Sequence, residues 1–143
     1  MTMAGDSFTT EFRIERSPEM IFDTLCDVRS WWAGEISGES HQLGDTFTYR
    51  HGDVHVSTQR VTEFAPGRRL VWHVDDARLN FVADPGEWIG TDVEFEIEPD
   101  GDDTVVRFTH RGLEPAIECY DACSSAWRFY VGGSLREAIL SRA

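Results

Sequence analysis

The chain has 143 residues, 41% of them hydrophobic and 12% aromatic, which is enough apolar surface for one domain with a genuine core and too little length for a second. Its formal charge of -13 sets 26 acidic residues against 13 basic ones, all arginine, and a field of that sign repels phosphate backbones and anionic headgroups, so nucleic-acid and membrane partners are not expected. No apolar run approaches the roughly 18 residues of a membrane span, Met1 to Ser7 lacks the marks of a secretory signal, and three cysteines read as reduced thiols, so the expected address is the cytoplasm.

Phe8 to Glu15 alternates apolar and polar residues, the period of a strand with one buried face. Ser17-Pro18-Glu19 then supplies a capping hydroxyl, a proline for the first helical position and a carboxylate for the positive helix end. The helix carries Ile21, Phe22, Leu25 and Val28 on one face and ends near Trp31-Trp32-Ala33-Gly34, with Gly34 to Gly44 read as loop. Strands are expected at Thr46 to His51, Val54 to Phe64 and Arg69 to Val74, followed by a less regular stretch with a short strand around Leu79 to Val82. Thr91 to Glu98 and Thr104 to Arg111 form a hairpin about Pro99-Asp100-Gly101-Asp102. Leu113-Glu114-Pro115 opens a long final helix with a buried stripe of Ala116, Tyr120, Cys123, Trp127, Val131 and Leu135, and Gly132-Gly133 calls for a kink or a close backbone approach within it.

This order predicts an α+β fold: a curved antiparallel sheet of six or seven strands wrapped around a long C-terminal α-helix, with one or two short helices after the first strand. All of 1–143 is read as one domain, with an ordered core of about 8–141.

Several segments carry a resemblance: Arg29-Ser30-Trp31-Trp32, Gly44-Asp45, Glu87-Trp88-Ile89-Gly90-Thr91, Phe108 to Leu113, and Trp127 followed by Ser134-Leu135. Together with the element order, the chain from Phe8 to about Leu140 resembles the START-like (SRPBCC, helix-grip) superfamily. More narrowly it resembles the bacterial branch homologous to the activator of the ninety-kilodalton heat-shock protein's ATPase. The resemblance implies an internal cavity without naming its occupant, because the superfamily includes lipid and hormone carriers, polyketide cyclases and co-chaperone domains.

Strand parity places His110 on the same inward face as Val106 and Phe108, at the entry to the last helix. There it either serves the local structure or acts as a general acid or base, with Tyr120 orienting a substrate oxygen. Trp32, Phe47, Tyr49, Trp72, Trp88, Phe108, His110, Tyr120, Cys123 and Trp127 are the candidate liners of a pocket, with Ser124 and Arg60 as further polar groups. Cys119 and Cys123 share a helix face but lack the spacing of a structural zinc site, and His41, His51, His55 and His73 show no ligand spacing, so neither a metal nor a cofactor is expected. The acidic series Asp92, Glu94, Glu96 and Glu98 reads as a solvated strand face, or as a docking surface for a basic partner.

The expected function is binding of a small apolar or aromatic molecule between sheet and last helix. One alternative is a cyclase- or hydrolase-like enzyme on a polyketide-like or aromatic substrate. A second is a co-chaperone-like domain that stimulates a heat-shock ATPase. A chaperone partner and a homodimer stay open.

Overall fold

The computed structural model describes residues 7–32, 34–114 and 118–142. Strand β1 (Phe8–Ile14) leads into α1 (Pro18–Cys26), where the Ser17 hydroxyl accepts a bond from the Met20 amide and Pro18 occupies the first turn. A single 3-10 turn, Val28–Ser30, delivers Trp31 and Trp32 into the core. The remaining strands are β2 (Glu35–Gly38), β3 (Thr46–His51), β4 (His55–Ala65), β5 (Arg69–Leu79), β6 (Asp92–Asp100) and β7 (Asp103–Arg111). All seven form one antiparallel sheet in the order β1-β7-β6-β5-β4-β3-β2, so α1 and its turn carry the chain from one edge to the other.

Two expectations about strands need correction. The segment read as loop from Gly34 contains edge strand β2, which pairs Glu35 with Arg50 and Gly38 with Phe47; it is short and polar, and so shows no apolar alternation. No separate strand lies around Leu79 to Val82, because β5 runs on to Leu79, opposite His55. The cause is a bulge: Gln59 faces Val74 and Thr58 faces Asp76, so Asp75 is an extra residue that breaks the two-residue period. A bidentate ion pair from Arg60 to Asp75, at 3.0 and 3.1 Å, spans it.

In the β6–β7 hairpin Asp100 pairs with Asp103 across Gly101-Asp102, and Gly101 has φ +65, the left-handed conformation such a tight turn requires. Among the described residues the helical segment begins at Tyr120, and Leu113 and Glu114 are not helical; Pro115 and Ala116, where the helix is expected to open, lie outside the described residues. It continues as α2 (Tyr120–Phe129), a π-helical segment Tyr130–Leu135 and α3 (Arg136–Ser141). The Gly132-Gly133 pair therefore sits in a widened turn. No close approach occurs there, since a Cβ on either glycine would meet nothing within 4 Å.

Cys123, Trp127, Val131, Leu135 and Ile139 from this helix press into the concave face of the sheet, against residues that include Phe47, Trp72, Phe95, Val106 and Phe108. Ile21, Phe22 and Leu25 of α1 extend the same core. Among the described residues no helix is long and apolar enough to cross a membrane.

Candidate functional site

His110 stands on the concave face of β7 with no exposed surface. Trp127 Nε1 donates to its Nδ1 at 3.0 Å, which leaves the ring proton on Nε2, 2.8 Å from Thr91 Oγ1. The Thr91 hydroxyl donates in turn to the Trp88 carbonyl at 2.6 Å. Burial, with His55 nearby, pushes the His110 pKa down to about 3, so the imidazole is neutral near pH 7. Both ring nitrogens are thus committed to a chain that ties the last helix to the β5–β6 connection.

That connection, Asn80 to Thr91, is itself clasped to the start of the helix. The Glu87 carboxylate accepts the Glu118 and Cys119 amides at 3.0 and 3.2 Å, and the Glu118 carboxylate accepts the Ala83 amide at 3.0 Å. Trp88 is thereby held over the end of the sheet.

Beneath it lies a hollow of about 240 Å³, lined by Trp32, Tyr49, His51, Val54, His55, Phe81, Trp88, Ala122, Cys123, Ala126, Trp127 and Tyr130. Two ring stacks dominate its walls: Trp32 on Tyr49, with centroids 3.8 Å apart, and Trp88 on Trp127 at 5.8 Å. His55 lies nearly perpendicular to Tyr49 and Trp88, at 5.1 and 4.6 Å. Its Nε2 meets Ser57 Oγ at 2.8 Å, and burial pushes its pKa down to about 4. Burial and a hydrogen bond with Tyr130 raise the Tyr49 phenol, which is protonated at neutral pH. The hollow is not fully enclosed: Val54, Phe81, Ala122 and Ala126 are exposed and form a rim.

Trp32, Tyr49, Trp88, Cys123 and Trp127, all expected as liners, come together here. Phe47, Trp72 and Phe108 do not line it; they are packed solidly behind the first layer, where Phe47 meets Trp72 edge-on at 4.9 Å and Phe108 meets Trp127 at 4.6 Å. His110 likewise sits behind the wall, and Tyr120 is half-buried away from it. Arg60 points to solvent with Asp75, and Ser124 Oγ is buried with no partner among the described residues. Sequence reasoning missed His51, Val54, His55, Phe81, Ala122, Ala126 and Tyr130 as wall residues. A signal for His55 existed, because two-residue parity from buried Val61 through Gln59 and Ser57 reaches it.

A second, wider hollow of about 570 Å³ lies beside α1, lined by Asp23, Asp27, His41 and Arg142 among others. Arg142 pairs with Asp27 across it at 2.8 Å, and its aromatic lining is limited to Phe22 and Phe64, which meet edge-to-face at 5.1 Å. Among the described residues no cluster of three His, Cys, Asp or Glu side chains is placed to hold a metal ion. Hydrogen bonding to Cys119 and burial push the Cys123 thiol up, so the residue on the wall is a neutral thiol.

The acidic series on β6 is not a uniformly solvated face. Glu94 is 7% exposed and accepts bonds from Arg111 at 2.7 and 3.0 Å and from Arg69 at 3.3 Å, and Glu96 also pairs with Arg69. Hydrogen bonding to Arg111 holds the Glu94 carboxyl below the usual carboxylate range.

With this geometry in hand, residues 15–139 match the family described as activator of Hsp90 ATPase homolog 1-like protein. The chain belongs to this family. Similar solved structures of the activator-like fold include the Aha1 dimer of Colwellia psychrerythraea, with 23% identity, a TM-score of 0.76 and coverage of 96% of this chain and 98% of that one. A Mesorhizobium loti protein, MLL2253, has 18% identity and a TM-score of 0.76 over 96% and 98% of the two chains. DynU16, from the dynemicin biosynthetic locus, has 15% identity and a TM-score of 0.70, over 95% of this chain and 48% of its own. These likenesses establish the START-like helix-grip fold. No curated protein matches the sequence.

Proposed function

We propose that this activator-like domain is a small-molecule binding protein whose occupant sits in the aromatic hollow between the sheet, the β5–β6 connection and the last helix. The observation that carries this reading is the hollow of about 240 Å³ in an otherwise densely packed concave face. Its walls are largely apolar, with His55 and the two tyrosine hydroxyls as polar handles, the makeup expected of a ligand site.

Size narrows the occupant. An apolar cavity of about 150 Å³ takes benzene. Sites for drug-sized ligands begin near about 300 Å³. The hollow falls between these, so its volume suits a molecule of one or two rings. His110 contributes indirectly, by fixing Trp127 and Trp88, which leaves His51 and His55 as the imidazoles within reach of an occupant.

Isothermal titration calorimetry with one- and two-ring molecules such as phenol and indole tests the reading. Saturable binding of at least one, lost in Ala126→Phe, supports it. Equal heats from wild type and variant would count against it.

A further inference from the structure

We infer that the hollow takes a compact cation whose charge is wrapped in carbon, a quaternary ammonium on a single ring; this rests on the reading of the hollow as a ligand site. Six aromatic side chains, Trp32, Tyr49, Phe81, Trp88, Trp127 and Tyr130, line it. Aromatic rings carry negative potential on their faces, which attracts a cation and repels an anion, and the attraction grows when the cation is shielded from water. Among the described residues the lining holds no arginine and no carboxylate. An anionic ligand therefore has no counter-charge there, while a cation also enters a protein of formal charge -13.

The same lining selects among cations. The two imidazoles on the wall, His51 and His55, are the basic groups it contains, and His55 is held neutral near pH 7 by its burial, so it does not oppose a positive guest. A primary ammonium brings three N–H donors, each needing an acceptor once water is removed. The acceptors at hand are few: the hydroxyls of Tyr49 and Tyr130 and the imidazole nitrogens of His51 and His55, of which His55 Nε2 already meets Ser57 Oγ. Methyl groups in place of those hydrogens remove the demand and spread the charge over surface that packs on indole and phenol rings.

The test compares (3-hydroxyphenyl)trimethylammonium with its neutral carbon isostere, 3-tert-butylphenol, by calorimetry at pH 7.5. Shape and volume are matched, so the ratio of dissociation constants reads the charge alone. Binding of the cation at least about tenfold tighter than the isostere is expected. In Tyr130→Leu, on the rim of the helix, that ratio should fall by about fivefold while the isostere's affinity changes less than about threefold. Equal or tighter binding of 3-tert-butylphenol would overturn the cation assignment and leave the ligand site standing. Failure of both to saturate at millimolar concentration would overturn the ligand site as well.

Discussion

Trp127 Nε1 lies 3.0 Å from His110 Nδ1, and this one bond joins the last helix to β7 at the base of the hollow. It is buried on both sides. A bond of that kind stabilises modestly when made but is costly to leave half-made. His110→Phe leaves the Trp127 N–H and the Thr91 hydroxyl without their partner, and is expected to lower stability by about 1–3 kcal/mol in urea denaturation. Affinity for a one-ring ligand should fall no more than about threefold, because the side chain is not on the wall; a complete loss of binding in a folded variant would return His110 to the site.

Acid should weaken the fold earlier than carboxylate protonation alone would. His55 and His110 have folded-state pKa values near 4 and 3, against about 6.5 for an unperturbed imidazole. Between those limits the unfolded chain binds more protons than the folded one, so stability is full above about pH 6.5 and is lost as pH falls toward 3. The combined effect is on the order of a few kcal/mol by pH 4. The urea midpoint should therefore drop between pH 7 and pH 4.5, with a shallower drop in His55→Gln; an unchanged midpoint would mean that the two rings are not held neutral.

Ala126 is exposed on α2 and lines the rim, so Ala126→Phe should plug the mouth without disturbing the core. Its cost in helix preference is about 0.5 kcal/mol. Ligand affinity should fall at least about tenfold with little change in melting temperature, a split that differential scanning fluorimetry and calorimetry can read separately.

Gly34 lies against Tyr49. A Cβ added there would come within 2.6 Å of Tyr49 Cε1 and would also collide with the Arg50 carbonyl. Gly34→Ala is expected to destabilise by about 1–3 kcal/mol and to shift the Tyr49 ring from its stack on Trp32. Near-ultraviolet circular dichroism of the aromatic bands would register the shift.

Much of the fold was legible because period and punctuation agree. Phe8 to Ile14, Ser17-Pro18 and the Pro99 to Asp102 turn each announce their element, and the structure places β1, α1 and the β6–β7 hairpin there. What was hidden is local irregularity. The extra Asp75 masked the length of β5, and β2 has no apolar alternation to display. The site was half legible for a related reason. Aromatic identity marks a residue as bulky and apolar, but whether Trp72 or Trp88 borders an empty space depends on which layer it occupies. Trp72 points from mid-strand into the sheet's centre, whereas Trp88 is held over the edge by Glu87 and Thr91. His55 was legible by parity alone, and its lack of ligand-like neighbours in sequence concealed it.

Bromobenzene diffused into crystals of the protein tests the central claim most directly, because bromine is located by its anomalous signal. The expected result is one strong peak between Trp32, Trp88 and Trp127, absent in Ala126→Phe crystals. A space filled by repacked side chains in the untreated crystal, with no bromine there after soaking, would contradict the account.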